Sequence, residues 1–160
     1  MPKARNNALH IKRAQAPRDF RRVRSLLLAY AQELGVDLGF QGLAQELGTL
    51  PLVYAPPGGL WLASLGESNV GCVGLRSLDD TYAELKRLFA LSSARGFGVG
   101  RALVETALGA ARAAGFGAVR LDTLPTMKAA ATLYGSLGFV PIPPYRGNPV
   151  PGARCLELAL

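Results

Sequence analysis

The chain is poor in the residues that build metal and redox centres, with two cysteines and one histidine among its 160 residues. Cys72 and Cys155 both lie in strand-like apolar runs, with no C-x-x-C spacing and no second histidine. Zinc binding and thioredoxin-type exchange are therefore not supported, and both thiols read as reduced core residues. His10, alone in the first strand-like segment, reads as a surface or structural side chain. No apolar run approaches the roughly 20 residues that span a bilayer, and the basic start, Met1 to Arg24, is not followed by a signal-peptide core. The expectation is a cytoplasmic protein with no membrane partner. No internal repeat divides it, so residues 1–160 read as one domain with residues 1–7 a frayed basic tail.

Excess charge is absent from most of the chain as well. The net charge is +7, but the first 24 residues alone hold eight basic side chains (Lys3, Arg5, Lys12, Arg13, Arg18, Arg21, Arg22 and Arg24) against Asp19. The rest is neutral. A nucleic-acid-binding face would spread a basic stripe and interleave aromatics, and neither is visible. The cluster reads as a solvated helix face rather than a polyanion site, which argues against a nucleic-acid partner.

What is present is alternation and helical periodicity in a readable order. Ala8 to Gln15 reads as a strand. From Asp19 to Leu34 the residues Phe20, Val23, Leu26, Leu27, Tyr30 and Leu34 make a helical stripe, begun at Pro17 and ended by Gly35. A short helical pattern over Asp37 to Leu47 is followed by a loop through Pro56-Pro57-Gly58-Gly59. Leu60 to Leu65 and Val70 to Leu78 form a hairpin, and Tyr82 to Leu91 a fourth strand. Val99, Leu103, Ala107, Ala110 and Ala114 mark the next helix, and Ala118 to Thr123 the strand after it. Pro125 and Thr126 open a last helix, whose stripe is Ala130, Leu133, Tyr134 and Leu137 with Gly138 beyond its end. Phe139 to Ile142 and Cys155 to Leu160 supply the last strands. The class is α/β in the α+β sense: a mixed, mostly antiparallel central sheet of about six to seven strands flanked by about four helices.

The junction before the helical pattern that begins at Val99 carries the strongest chemical signal. Arg95-Gly96-Phe97-Gly98-Val99-Gly100-Arg101 places three alternate glycines between a strand and a helix, so backbone N–H groups lie unshielded at the positive end of a helix dipole. That is an anion cradle suited to phosphate. It is neither of two familiar phosphate loops. Gly100 is followed by Arg101 and Ala102 rather than Lys-Ser/Thr, and a dinucleotide fingerprint counted from Gly96 would need glycine at position 101.

In order and on the expected elements, three segments resemble the GCN5-related N-acetyltransferases (GNAT). They are Glu84 to Ala90 on the fourth strand, the loop Arg95 to Gly100, and Leu133-Tyr134-Gly135-Ser136-Leu137-Gly138-Phe139. The resemblance spans nearly the whole chain and implies a GNAT fold and an acetyl-CoA-dependent N-acetyltransferase. It implies that the loop, Arg95, Gly96, Phe97, Gly98, Val99, Gly100 and Arg101, binds the pyrophosphate of acetyl-CoA, and that Leu88, Phe89 and Ala90 pair with the pantetheine arm like an added strand. A backbone N–H there would face the developing oxyanion. Tyr134 matches the position that protonates the departing thiolate, and Glu84 that of the general base in histone acetyltransferases of the family. The other reading of Glu84 is an exposed strand carboxylate paired with Lys86 or Arg87. Asp122, at the end of the fifth strand, is a further carboxylate candidate, for which a turn or cap role is the favoured reading. Three positions depart from the family pattern: Ser92 in place of proline, Phe97 in place of a basic residue, and Met127 in place of an asparagine on the cofactor side.

The acceptor implied is a primary amine of a small molecule, entering between the segment Asp37 to Gly59 and the loop Tyr145 to Gly152. Phe40, Gln41, Tyr54, Tyr145 and Asn148 are the candidate acceptor-binding residues, on position alone. Acetylation of a protein N-terminus or lysine, and a non-catalytic acyl-CoA-binding module, are the alternatives. No metal is implied, and a homodimer is compatible with the resemblance.

Overall fold

A computed structural model describes residues 8–35, 42–147 and 150–160. Its strands are β1 (Leu9–Arg13), β2 (Gly59–Leu65), β3 (Ser68–Ser77), β4 (Tyr82–Ala90), β5 (Ala118–Thr123), β6 (Val140–Ile142) and β7 (Arg154–Ala159). Its helices are α1 (Pro17–Leu34), α2 (Leu43–Gly48), α3 (Leu50–Val53), α4 (Val99–Ala113) and α5 (Lys128–Ser136). The strands form one sheet in the order β1-β2-β3-β4-β5-β7-β6, in which β4 and β5 make the sole parallel pair. All other neighbours are antiparallel. The order of elements is the one read from the sequence, with α3 added where a loop was expected.

Alternation along the strands sends side chains to two apolar layers. On one face Val73, Leu75, Leu85 and Leu121 pack under α4, whose Val99, Leu103, Val104, Ala107, Leu108 and Ala111 are all buried. On the other, Leu60, Leu62, Cys72 and Phe89 pack under α1 through Val23, Leu26, Leu27 and Tyr30, and under α2 and α3 through Leu43, Leu47 and Leu50. The buried face of α4 is broader than the row of small residues in its sequence, because the helix lies across the middle of the sheet and meets β1 to β4. Ala114, expected on that face, is exposed.

Pro17 begins α1 without a side-chain cap from Ala16; Asp19 does the capping instead. Its fully buried carboxylate accepts the N–H groups of Gln15 at 3.1 Å and Ala16 at 3.0 Å and lies 3.1 Å from Lys12 Nζ. Those backbone hydrogen bonds, chiefly that of Gln15, lower its pKa to about 2. The helix is thereby fixed over the sheet, and its C-terminal turn brings Tyr30 beside β4.

Candidate active site

Two neighbouring strands part company at the centre of the sheet. β4 pairs with β5 at Tyr82↔Ala118, Ala83↔Val119 and Glu84↔Arg120, and there the pairing stops. β5 runs on beside β7 to Thr123↔Arg154, whereas β4 turns away. The cause is a bulge. Cys72 faces Phe89 and Gly74 faces Lys86, so Val73 alone spans Arg87 and Leu88. Arg87 has φ 59°, a left-handed conformation that costs a non-glycine residue roughly 1–2 kcal/mol. A buried network holds it there. Arg87 Nε lies 2.9 Å from Glu46 Oε2 and its second nitrogen 3.2 Å from Oε1, and the Tyr54 hydroxyl donates to the same carboxylate at 2.8 Å. From Leu85 to Ala90 the edge of β4 that faces β5 therefore has no strand partner among the described residues.

That edge forms one wall of a cleft of about 840 Å³. Leu88, Phe89 and Ala90 stand on one side and Thr126 to Ala130, with Leu133, on the other, above the loop from Arg95 to Arg101. Gly96 and Gly98 have φ 87° and 72°, and Gly98 is the N-cap of α4. In that conformation the N–H groups of Gly96, Gly98, Val99, Gly100 and Arg101 meet no acceptor among the described residues. Arg95, 2.7 Å from Glu33, and Arg101, 2.6 Å from the Ser136 hydroxyl, add positive charge at the mouth. An anion of phosphate type fits this set of donors. Of the residues expected along the cofactor, Leu88, Phe89, Ala90, Arg95, Gly96, Gly98, Val99, Gly100, Arg101 and Met127 all line the cleft. Phe97 does not; its side chain points to solvent, half exposed.

At the inner end the cleft narrows into a throat of about 30 Å³, between the parted strands. Tyr30, Leu88 and Met127 border both spaces. Lys86, Asp122, Thr123 and Tyr134 also line the throat, with Leu85, Arg87 and Leu124. The stripe of α5 buries the Tyr134 ring, 5.5 Å from Phe139, and leaves its hydroxyl without a hydrogen-bond partner among the described residues. Burial, with Tyr30 and Asp122 nearby, holds that phenol above its ordinary pKa, so it carries its proton at neutral pH. The Tyr30 phenol is likewise raised by burial, against the opposing pull of Arg87. Lys86 is 7% exposed, and burial together with Arg87, Arg76 and Arg146 lowers its ammonium to about 8 despite Glu84.

Glu84 lines neither space. It is fully buried, so the exposed carboxylate considered from the sequence is corrected, and its partners are not Lys86 and Arg87. Arg76 Nε donates to one oxygen at 2.8 Å; the Tyr145 hydroxyl donates to the other at 2.6 Å, where Arg146 is ion-paired as well. Burial and Glu84 push the Tyr145 phenol up. Tyr54, expected beside the acceptor, is a core residue: its ring covers Gly74, where a Cβ would overlap it, and its hydroxyl belongs to Glu46. Phe40, Gln41 and Asn148 lie outside the described residues. Asp122, read as a turn residue, stands on the wall of the throat.

Tyr30 and Lys86 are among the throat residues that the sequence did not single out. Tyr30 looked like one more member of an apolar helical stripe, and only its tertiary position sets it apart. Lys86 left a trace, since alternation puts it on the same strand face as Glu84.

Among the described residues no group of three or more His, Cys, Asp or Glu side chains is placed to hold a metal ion. No helix there is long and apolar enough to cross a membrane. The family model described as the acetyltransferase (GNAT) family matches residues 22–139. An uncharacterised N-acetyltransferase of Schizosaccharomyces pombe is 32% identical over 155 residues, 95% of each chain. Among solved structures, an acetyltransferase from Streptococcus agalactiae superposes with a TM-score of 0.80 at 25% identity, covering 95% of this chain and 98% of that one. A GNAT family acetyltransferase from Elizabethkingia anophelis, solved with acetyl-CoA bound, shares the fold with a TM-score of 0.65 at 19% identity, over 95% of this chain and 98% of its own. A matching family model over most of the sheet, a relative similar from end to end and a glycine loop beneath an opened strand pair agree: the chain belongs to the acetyltransferase (GNAT) family and is an acyltransferase.

Proposed function

We propose that the protein transfers an acetyl group from acetyl-CoA to a primary amine of a small molecule, by direct attack within a ternary complex. The observation that carries this is the continuity of the site. Loop N–H groups, a strand edge and a Tyr134 hydroxyl, all without partners among the described residues, follow one another from the cleft into the throat. A GNAT structure holding acetyl-CoA among those of the same fold supports the choice of donor. Acetyl-CoA, when bound, supplies an activated thioester.

The chain's own residues do the rest. The loop N–H groups, with Arg95 and Arg101, receive the pyrophosphate, and Leu88 to Ala90 offer backbone hydrogen bonds to an extended amide arm. A backbone N–H of β4 at the bulge stabilises the negative charge that develops on the carbonyl oxygen as the amine adds. When the C–S bond breaks, the electron pair stays on sulfur and Tyr134 gives that sulfur its proton, while the nitrogen, cationic since attack, loses its extra proton to water; the phenolate then recovers one from solvent. Before attack the acceptor ammonium loses a proton to water. Glu84 does not take it in this reading, since both of its oxygens are engaged; it anchors Tyr145 and Arg146 on the acceptor side.

The test is thiol release from acetyl-CoA against a panel of amines, together with calorimetry of CoA binding. Tyr134→Phe is expected to lower kcat by roughly 10²- to 10⁴-fold while leaving CoA affinity intact. Unchanged turnover would remove Tyr134 as the donor. No CoA binding at millimolar concentration would remove the whole reading, including a binding module without chemistry.

A further inference from the structure

The face of the sheet beyond the throat has an imbalance of charge that the reaction above does not use. Arg76, Glu84 and Lys86 stand on one face, since Arg76 is opposite Glu84 in register and Lys86 is two residues along β4. The loop between β6 and β7 brings Arg146 to the same carboxylate. Arg87 is balanced by Glu46, and Arg76 and Arg146 share Glu84. Lys86 is left over. It is more than nine-tenths buried, lines the throat, and makes no hydrogen bond or ion pair with any described residue. Arg146 repeats the pattern, for its Nε is buried without an acceptor among the described residues.

A buried ammonium with no partner costs free energy, and so does a guanidinium N–H turned away from water. Both costs fall if something negative enters. Depression of the Lys86 ammonium by burial and three arginines points the same way, because neither Glu84 on its own strand face nor Asp122 on the same throat wall is ion-paired with it.

We propose that the acceptor amine also carries a carboxylate, and that Lys86 and Arg146 hold this carboxylate while the amine reaches the throat. The inference rests on the acetyl-transfer reading and narrows its substrate to amino-acid-like amines. Lys86 supplies a compact charge at the throat wall, and Arg146, seated on the Glu84 carboxylate two residues back along β4, a directional N–H. Glu84, held by Arg76, Tyr145 and Arg146, keeps Arg146 aimed and makes no ion pair with Lys86.

Matched probes test it: L-phenylalanine, L-leucine and β-alanine, each against its methyl ester and the amine left by decarboxylation. The acid is expected to exceed both neutral forms in kcat/KM by at least about tenfold for one or more sets. In Lys86→Met that ratio is expected to collapse through KM; Arg146→Met, which leaves Glu84 with two donors, is expected to reduce it in the same sense. In parallel, calorimetry on the CoA-loaded protein compares the N-acetyl acids with their methyl esters, so the carboxylate is tested even where these amines turn over slowly. Acids no better than esters in both assays overturn the carboxylate while leaving acetyl transfer to neutral amines standing. A Lys86→Met protein that loses kcat equally on charged and neutral amines also overturns it, since Lys86 would then be serving as a base. Absence of CoA binding removes this inference together with the reading on which it rests.

Discussion

Arg87 joins the architecture to the chemistry, because its left-handed backbone makes the bulge and its side chain holds that bulge in place. Arg87 is 4% exposed and Glu46 8%, so the pair has little water to fall back on. Breaking one partner of a buried pair strands the other, at a cost of about 3–5 kcal/mol. Glu46→Ala is therefore expected to lower stability by that amount in urea denaturation, with Tyr54→Phe costing nearer 1 kcal/mol. If the bulge relaxes with the ion pair, the remaining folded Glu46→Ala protein should also bind CoA more weakly, whereas Tyr54→Phe should not. Cys72 lies under the same bulge, fully buried, and burial pushes its thiol up to about 12. It should resist iodoacetamide at neutral pH in the native protein and react once the chain unfolds.

The start of α1 depends on a single carboxylate, and that dependence has a pH signature. Asp19 has a folded pKa of about 2 against an ordinary value of 3.8, so its contribution is complete above about pH 4 and is lost as pH falls toward 2. Asp19→Asn should destabilise the protein at pH 7 by roughly 1 kcal/mol and flatten the acid limb of a plot of stability against pH. An unchanged acid limb would show that other carboxylates set it. At the α4 end the requirement is conformational. A Cβ at Gly98 would meet no neighbour, but φ 72° disfavours any L side chain, so Gly98→Ala should cost roughly 1–2 kcal/mol and weaken CoA binding. These elements were readable in the chain because local patterns specify them: the stripe of α1, the glycines before α4, and β5 at Ala118–Thr123 as expected. Pro51 and the prolines after it suggested loop where α3 forms, since proline is also accepted at a helix start. The bulge was not readable. It needs Glu46, 41 positions from Arg87, and no local pattern carries a contact of that span. The clamp on Glu84 is hidden in the same way, because Arg146 and Tyr145 arrive from a loop whose path depends on β6 and β7.

Across the molecule, the sheet is two pieces joined at a narrow seam. β1 to β4 form one antiparallel set and β5, β7 and β6 another, and three parallel register pairs hold them together before the strands diverge. A ligand in the cleft would bridge them, touching β4 on one side and α5 on the other with the α4 loop beneath. Any ligand that prefers the folded state raises stability, by about 2.7 kcal/mol at a concentration of a hundred times Kd. The geometry adds where that stabilisation should appear. Amide hydrogen exchange should slow on adding acetyl-CoA at residues 85–90, whose edge gains hydrogen-bond partners, and at 96–101, whose N–H groups gain an anion. Strands β1 and β2, remote from the seam, should change only as far as global unfolding sets their exchange. Slowing spread evenly over all strands, with none in excess at β4 or the loop, would mean that the ligand binds elsewhere, and the cleft would lose its assignment.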